Sequence, residues 1–231
     1  MMQIAEKIEE FNAISIVIRL VLATICGGII GLERETKRHS AGFRTFTLVC
    51  IGSALATIVN IYLWEKTASA DTSRIAAGVV NGVGFLGVGT IIVTRKNLVK
   101  GLTTAAGLWT TATLGIAIGS GMIFVSVVSF ILVMLTMSVL SHFSRYIGQH
   151  NKRISLYLEI KEEYGMKPLL AYVRANGYSI LTMEKQHDSV TNESDISVML
   201  EIDMKKRILH EKIIHEISEI EGIIYLEELT Y

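Results

Sequence analysis

Cysteine, charge imbalance and clustered histidine are scarce in this sequence, and each shortage removes a class of function. Only Cys26 and Cys50 occur in 231 residues, both inside apolar runs. A disulfide framework needs paired cysteines in an oxidising compartment, and a metal site needs closely spaced ligands. Neither is expected here, and both thiols read as small buried hydrophobes. The 22 basic and 22 acidic side chains cancel, which argues against nucleic acid as a partner, since such binders carry a net basic field. The six histidines form no cluster. His210 and His215 lie off each other's helical face, so no metal site is expected from them. No GxxxxGKS/T, GxSxG, HExxH or CxxC occurs. Without a nucleophile, base or metal constellation, neither an enzyme nor a cofactor is expected.

Apolar residues are abundant. The chain is 50% hydrophobic with one proline and a mean hydropathy of +0.44, an average that places it among membrane proteins. The N-terminal MMQIAEKIEEF has no basic region before an apolar stretch and no small-residue cleavage site. The first apolar segment is therefore expected to be an anchor, not a removed signal. Five segments approach the roughly 20 apolar residues of a spanning helix: 14–32, 46–63, 75–94, 102–119 and 122–140. The fourth, rich in Thr and Ala, is the weakest. Only Ser120 and Gly121 separate it from the fifth, which predicts a tight helical hairpin.

From about Ile154 the texture changes. ISLYLEI alternates with a period of two, as a half-buried strand does. Met166, Leu169, Leu170 and Val173 recur at helical spacing, with Gly177 closing that helix. YSILTMEK and ISVMLEID read as strands around the polar loop HDSVTNES. Ile208, Leu209, Ile213, Ile214, Ile217 and Ile220 form a helical stripe, and GIIYLEEL is a last strand. The order is that of a split βαβ, ferredoxin-like domain. The predicted fold class is thus a membrane α-helical bundle of about five spans, residues 1–145, followed by an α+β domain, residues 152–231.

Several motifs carry a functional and a plain reading. Gly82-Val83-Gly84-Phe85-Leu86-Gly87 matches the dinucleotide fingerprint GxGxxG, but inside an apolar span it has no strand–turn–helix context and is rejected. Gly27–Gly31, Gly78–Gly82 and Gly115–Gly119 are small-xxx-small pairs in three spans, suited to close helix packing in lipid. The third span is so rich in glycine that it could instead be broken and line a polar cavity. Arg19, Asn60 and Asn81 lie within spans, where charged and amide groups are costly and default to functional candidates. Arg19 either snorkels or is held inside; Asn60 could face the interface, and Asn81 bonds another helix or lines a cavity. Glu33-Arg34-Glu35 ends the first helix and Gly42-Phe43-Arg44-Thr45 opens the second, with Thr45 suited to an N-cap. Asp71 and Arg74 flank the third span. Thr103, Thr104 and Trp109 open the fourth, where Trp109 is too deep for an interfacial belt.

As a set, GGIIGLERE, AGFRT, DxxRIAAGVVNGVGFLGVGTI and GLTTAAGLWTTATLGIAIGSG, in order from about Gly27 to Gly121, resemble the MgtC/SapB family. The C-terminal region resembles the ACT-like domain appended to many members. The resemblance implies a five-span bacterial inner-membrane protein, linked in some members to growth at low magnesium, acid tolerance and survival in macrophages. In the virulence-associated members it implies restraint of the F-type ATP synthase, not magnesium pumping. Those members have GLNTAA where this chain has GLTTAA. Thr103 thus puts the ATP synthase role in doubt here and favours the broader SapB-like branch. By this resemblance the motif residues are Glu33, Arg34, Gly42, Arg44, Thr45, Asp71, Arg74, Gly82, Gly84, Phe85, Gly87, Thr103, Thr104 and Trp109, with Asn81 added from its cost in lipid.

Two functions of different class follow. One is a regulatory protein whose bundle acts on a membrane protein partner, with the cytoplasmic domain setting the response. The other is a small transporter or channel gated by that domain. Expected partners are membrane lipid, a membrane protein, and a second copy through the C-terminal domain. ACT-like domains commonly pair, and the sheet face carrying Tyr157 and Tyr225 is expected to be open.

Basic residues set the orientation. Arg34, Lys37, Arg38 and Arg44 follow the first segment, Arg95, Lys96 and Lys100 the third, and Arg145, Lys152 and Arg153 the fifth. The other side has Lys7, Lys66 and Arg74. By the positive-inside rule the N-terminus is outside and the C-terminal domain cytoplasmic. Reporter fusions at His39 and after residue 150 should read as cytoplasmic and one at Ala68 as external. A cytoplasmic signal at Ala68 would sink the five-span topology.

Overall fold

Asn12 opens the first helix, α1 (Ala13–Thr36), by accepting the Ser15 N–H on its Oδ1 at 2.8 Å, which supplies a partner that the first turn lacks. The computed structural model describes residues 11–67, 71, 73–94, 98–140, 151–186, 196–205 and 208–229. Ile14, Val17, Val21, Ile25, Ile29 and Leu32 form an exposed stripe on α1, while Ser15, Arg19 and Arg34 lie in its buried stripe. Aliphatic outside and polar within is the arrangement that lipid selects, because water would reverse it.

Three more helices are, like α1, long and apolar enough to cross a membrane: α2 (Phe43–Thr67), α4 (Leu102–Gly119), and α5 (Ile123–Leu135) with its π-helical continuation Thr136–Leu140. The tight hairpin predicted between α4 and α5 is present, turning at Gly121 with φ +80°. Between α2 and α4 runs α3 (Arg74–Thr90), of 17 residues, or about 25 Å. That falls short of the roughly 30 Å hydrocarbon core. The predicted third span, 75–94, therefore ends early: the helix stops at Thr90 and an antiparallel hairpin follows, β1 (Ile92–Val93) on β2 (Val99–Lys100). Gly101 explains the stop. Its φ is +99°, and a Cβ there would stand 1.9 Å from the Thr90 carbonyl oxygen, so only glycine lets α4 start against the end of α3. The alternative of a broken α3 is not met, since residues 74–90 are continuous helix.

Helix α4 is central, packing on α1, α2, α3 and α5. Two of the three glycine pairs make the close seats expected of them. Cβ atoms built at Gly27 and Gly31 would lie 2.7 Å from Cys50 Cβ and from Phe43 Cα. At Gly115 and Gly119 they would lie 2.4 Å from the Cys50 carbonyl oxygen and 2.5 Å from that of Ala54. The third pair differs. Gly78 and Gly82 face open space, as do Gly84 and Gly89, and only Gly87 meets a neighbour, Ala105 Cβ at 3.3 Å. Val83 and Gly87 are the buried residues of α3, so its glycine stripe points away from the bundle.

Residues 1–140 form one compact unit and 141–231 a second. The second has a four-stranded sheet of order β4-β5-β3-β6, antiparallel throughout: β3 (Arg153–Ile160), β4 (Ser179–Gln186), β5 (Ile196–Asp203) and β6 (Ile223–Glu228). With α6 (Lys167–Ala175) after β3 and α7 (His210–Ser218) after β5, this is the expected split βαβ order. The loop HDSVTNES lies outside the described residues. Leu169, Val173, Ile213 and Ile217 pack on Leu156, Leu158, Leu200 and Ile202, one period-two face of the sheet. The opposite face is open only in part: Tyr225 is exposed as expected, but Tyr157 is 1% exposed and donates to Glu159 at 2.8 Å, itself fully buried. His210 ties the start of the unit to its last strand, with Nε2 donating to the Asn151 carbonyl at 3.0 Å and Nδ1 against Glu228 at 2.6 Å. His215 is exposed, so the two histidines share no site.

Packing at the α2–α4 seat gives a direct contrast. Gly115→Leu should abolish the folded bundle, seen as loss of membrane abundance and of a cooperative melt in detergent. Gly82→Ala should hold or raise the melting temperature, because Ala exceeds Gly in a helix by roughly 0.5–1 kcal/mol. A Gly115→Leu protein melting like wild type would contradict the close seat.

Candidate functional site

Two arginines mark the polar ends of the bundle. Arg19, 1% exposed, does not snorkel: its Nη1 donates to the Gly119 carbonyl at 2.8 Å. That carbonyl is among the last of α4, where a helix presents unpaired acceptors and the negative end of its dipole. A Cβ at Gly121 would stand 2.6 Å from Arg19 Nη2, so the hairpin turn is shaped around the guanidinium. Asn60, which could have faced the interface, is buried at 6% exposure. Ser53 and Thr57, further inside α2, donate to the Val49 and Ser53 carbonyls at 2.8 and 2.9 Å and so satisfy their hydroxyls within their own helix.

The opposite end gathers the ends of three helices. Glu35 reaches across the α1–α2 turn, and its Oε2 accepts the Phe43 N–H at 2.8 Å. A carboxylate at a helix N-terminus satisfies an unpaired donor and meets the positive end of the dipole. Glu35, not Thr45, is therefore the cap: Thr45 is exposed within the first turn of α2. Gly42 leaves room for this carboxylate, as a Cβ there would lie 2.8 Å from Glu35 Oε2. Glu33 pairs with Lys37 one turn on and lies 3.7 Å from Arg34 Nη1. Arg44, in the first turn of α2, is exposed. Lys37 Nζ also donates to the Met137 carbonyl at 3.3 Å, joining α1 to the π-helical turn after α5. Arg34 is 2% exposed, and its Nε and Nη2 are buried without hydrogen-bond partners. In the loop beyond, desolvation, then the neighbouring Arg34 and Lys37 charges, holds the His39 imidazole below its ordinary range, with Glu33 opposing.

The other motif residues divide. Asp71 begins α3: its carboxylate accepts from the Ser73 hydroxyl at 2.6 Å and the Ser73 N–H at 2.9 Å. The hydroxyl bond is the chief reason its carboxyl sits below the usual range. Arg74, Asn81, Gly82 and Gly84 are exposed along α3, and Phe85 is 85% exposed. Asn81 is exposed and, among the described residues, makes no hydrogen bond to another helix. Thr103 is exposed, Thr104 is buried at 2%, and Trp109 is 47% exposed on the outer side of α4. Sequence reasoning did not single out Lys37 or commit to Glu35. The signals were the i,i+4 spacing of Glu33 and Lys37 and an acid in the last turn of α1, a short loop before the start of α2.

Comparison with known proteins agrees with this architecture. Protein SapB of Bacillus subtilis (strain 168) is 28% identical over 218 residues, 90% of this chain and 93% of its own length. Protein MgtC of Brucella abortus (strain 2308) is 30% identical over 207 residues, covering 85% of this chain and 84% of its own. YhiD of Escherichia coli (strain K12), whose name carries a provisional assignment as a magnesium transporter, is 42% identical over 147 residues, 62% of this chain and 68% of its own. A profile described as the MgtC family matches residues 20–146, α1 through α5 with the motifs above, and so the chain is a membrane protein belonging to the MgtC family.

Proposed function

We propose that this is a bacterial inner-membrane regulatory protein of the MgtC type, linked to magnesium homeostasis and stress adaptation. In this reading the bundle acts on a membrane protein partner, and the α+β unit, on the cytoplasmic side, sets the response. The supporting observation is the closed seat of α4 on α2. Gly115 and Gly119 approach carbonyl oxygens too closely to leave a path between these helices, while Asn81, Thr103 and Phe85 face outward. A transport path would instead turn polar groups of α3 and α4 towards a shared wet interior. Outward polar and aromatic groups on a short helix suit contact with another protein in the membrane.

The second reading, a small ion or solute transporter, is favoured by Thr111. This residue is fully buried in α4 with its hydroxyl unpartnered, beside a relative whose name points to magnesium transport. Two measurements separate the readings. Glu33→Gln should abolish growth at limiting magnesium in a host that needs the protein, with membrane abundance unchanged. Normal growth of that variant would count against the regulatory site. Purified protein in liposomes should pass magnesium at the background rate, and a saturable, protein-dependent flux would establish transport instead.

The α+β unit is proposed to pair with a second copy through a sheet edge, since β4 and β6 are edge strands whose outer backbone groups invite another strand. Residues 152–231 expressed alone should sediment as a soluble dimer and gain melting temperature with a small effector. A strict monomer at high concentration removes the pairing.

A further inference from the structure

The Arg34 guanidinium is the group the bundle leaves unexplained. It is 2% exposed, and its Nε and Nη2 atoms are enclosed without partners. These two N–H groups lie side by side on one edge of the guanidinium plane, the fork that meets two oxygens of one oxyanion. Leaving such donors enclosed and unpaired is costly, the more so for a charged group. Glu33 does not fill the fork, because it lies 3.7 Å from the other nitrogen, Nη1, and pairs with Lys37. Glu33, Arg34 and Lys37 lie together at this helix end, with the His39 ring in their field. Depth suits a phosphate. Arg34 stands 21 residue steps beyond Ala13 along α1, about 32 Å of helix, close to the thickness of the hydrocarbon core, so a helix that enters the acyl chains at Ala13 reaches the phosphate level at Arg34.

We infer that the Arg34 fork is a binding site for a phosphate group, with Lys37, which also reaches the Met137 carbonyl, as its second cation. Glu33 orients and partly neutralises the two cations, so it competes with the ligand's charge. The phosphate belongs either to an anionic lipid headgroup or to a small soluble phosphate. The inference does not depend on the regulatory proposal.

The full-length protein, purified in non-ionic detergent without phosphate, provides the test. Its melting temperature is followed against inorganic phosphate and, separately, short-chain phosphatidylglycerol. A concentration-dependent rise with phosphatidylglycerol alone identifies a lipid site, and a rise with inorganic phosphate a soluble-ligand site. Arg34→Lys keeps the charge but loses the fork, and should weaken the apparent affinity by about tenfold or more. Glu33→Gln removes the competing carboxylate and should tighten it by a similar factor, which keeps the inference falsifiable if Arg34→Lys does not fold. No shift of the wild-type melting temperature with either probe overturns the site, as does unchanged or weaker affinity in Glu33→Gln.

Discussion

At Gly115 the backbone of α4 comes so near α2 that a single methyl group would collide with the Cys50 carbonyl oxygen, and one turn later Gly119 repeats the approach at Ala54. In lipid no hydrophobic effect drives one helix onto another, so association relies on close van der Waals contact and on polar groups pairing across helices. Here the contact does most of that. It fixes the axial register of α4 on α2. That register brings the last carbonyls of α4 to Arg19 of α1, and it sets Gly107 beneath Phe46 and Met137 near the other end. Shift the seat by one residue and the Arg19 guanidinium would lose its carbonyl inside a medium with no water to replace it.

Polar groups follow from this frame. Arg19 and Arg34 both occupy the buried stripe of α1, but they are treated differently. Arg19 completes a helix end and so has a structural use, with the turn at Gly121 shaped to its side chain. Arg34 stands where three helix ends converge, beside an ion pair that includes Lys37 and a carboxylate cap on α2. Its fork is unmet by the protein itself. Helix α3 is the complement of this closed interior. It is short, rich in glycine and buried at little more than Val83 and Gly87.

The second unit obeys the physics of water. Its sheet alternates with period two and lays its aliphatic face under α6 and α7. Its entry point is held to its last strand by a histidine with both ring nitrogens engaged. One chain thus contains two solvents' worth of design, with aliphatic side chains outside in the first unit and inside in the second.

Composition and periodicity were enough to determine both classes. Long apolar runs place four helices able to cross, since an unpaired backbone in lipid is too costly, and the span 102–119 coincides with α4, although the run 75–94 gives a shorter helix. Period-two strands alternating with helical stripes fix the split βαβ order. What the sequence could not decide was direction around each helix and reach across each turn. In lipid both faces of a helix are apolar, so the pattern does not say that Gly115 packs while Gly82 does not. Nor does spacing reveal that Glu35 bonds Phe43, or that Tyr157 is covered. Those outcomes depend on which surfaces approach within a few ångströms, and only the tertiary structure brings them there.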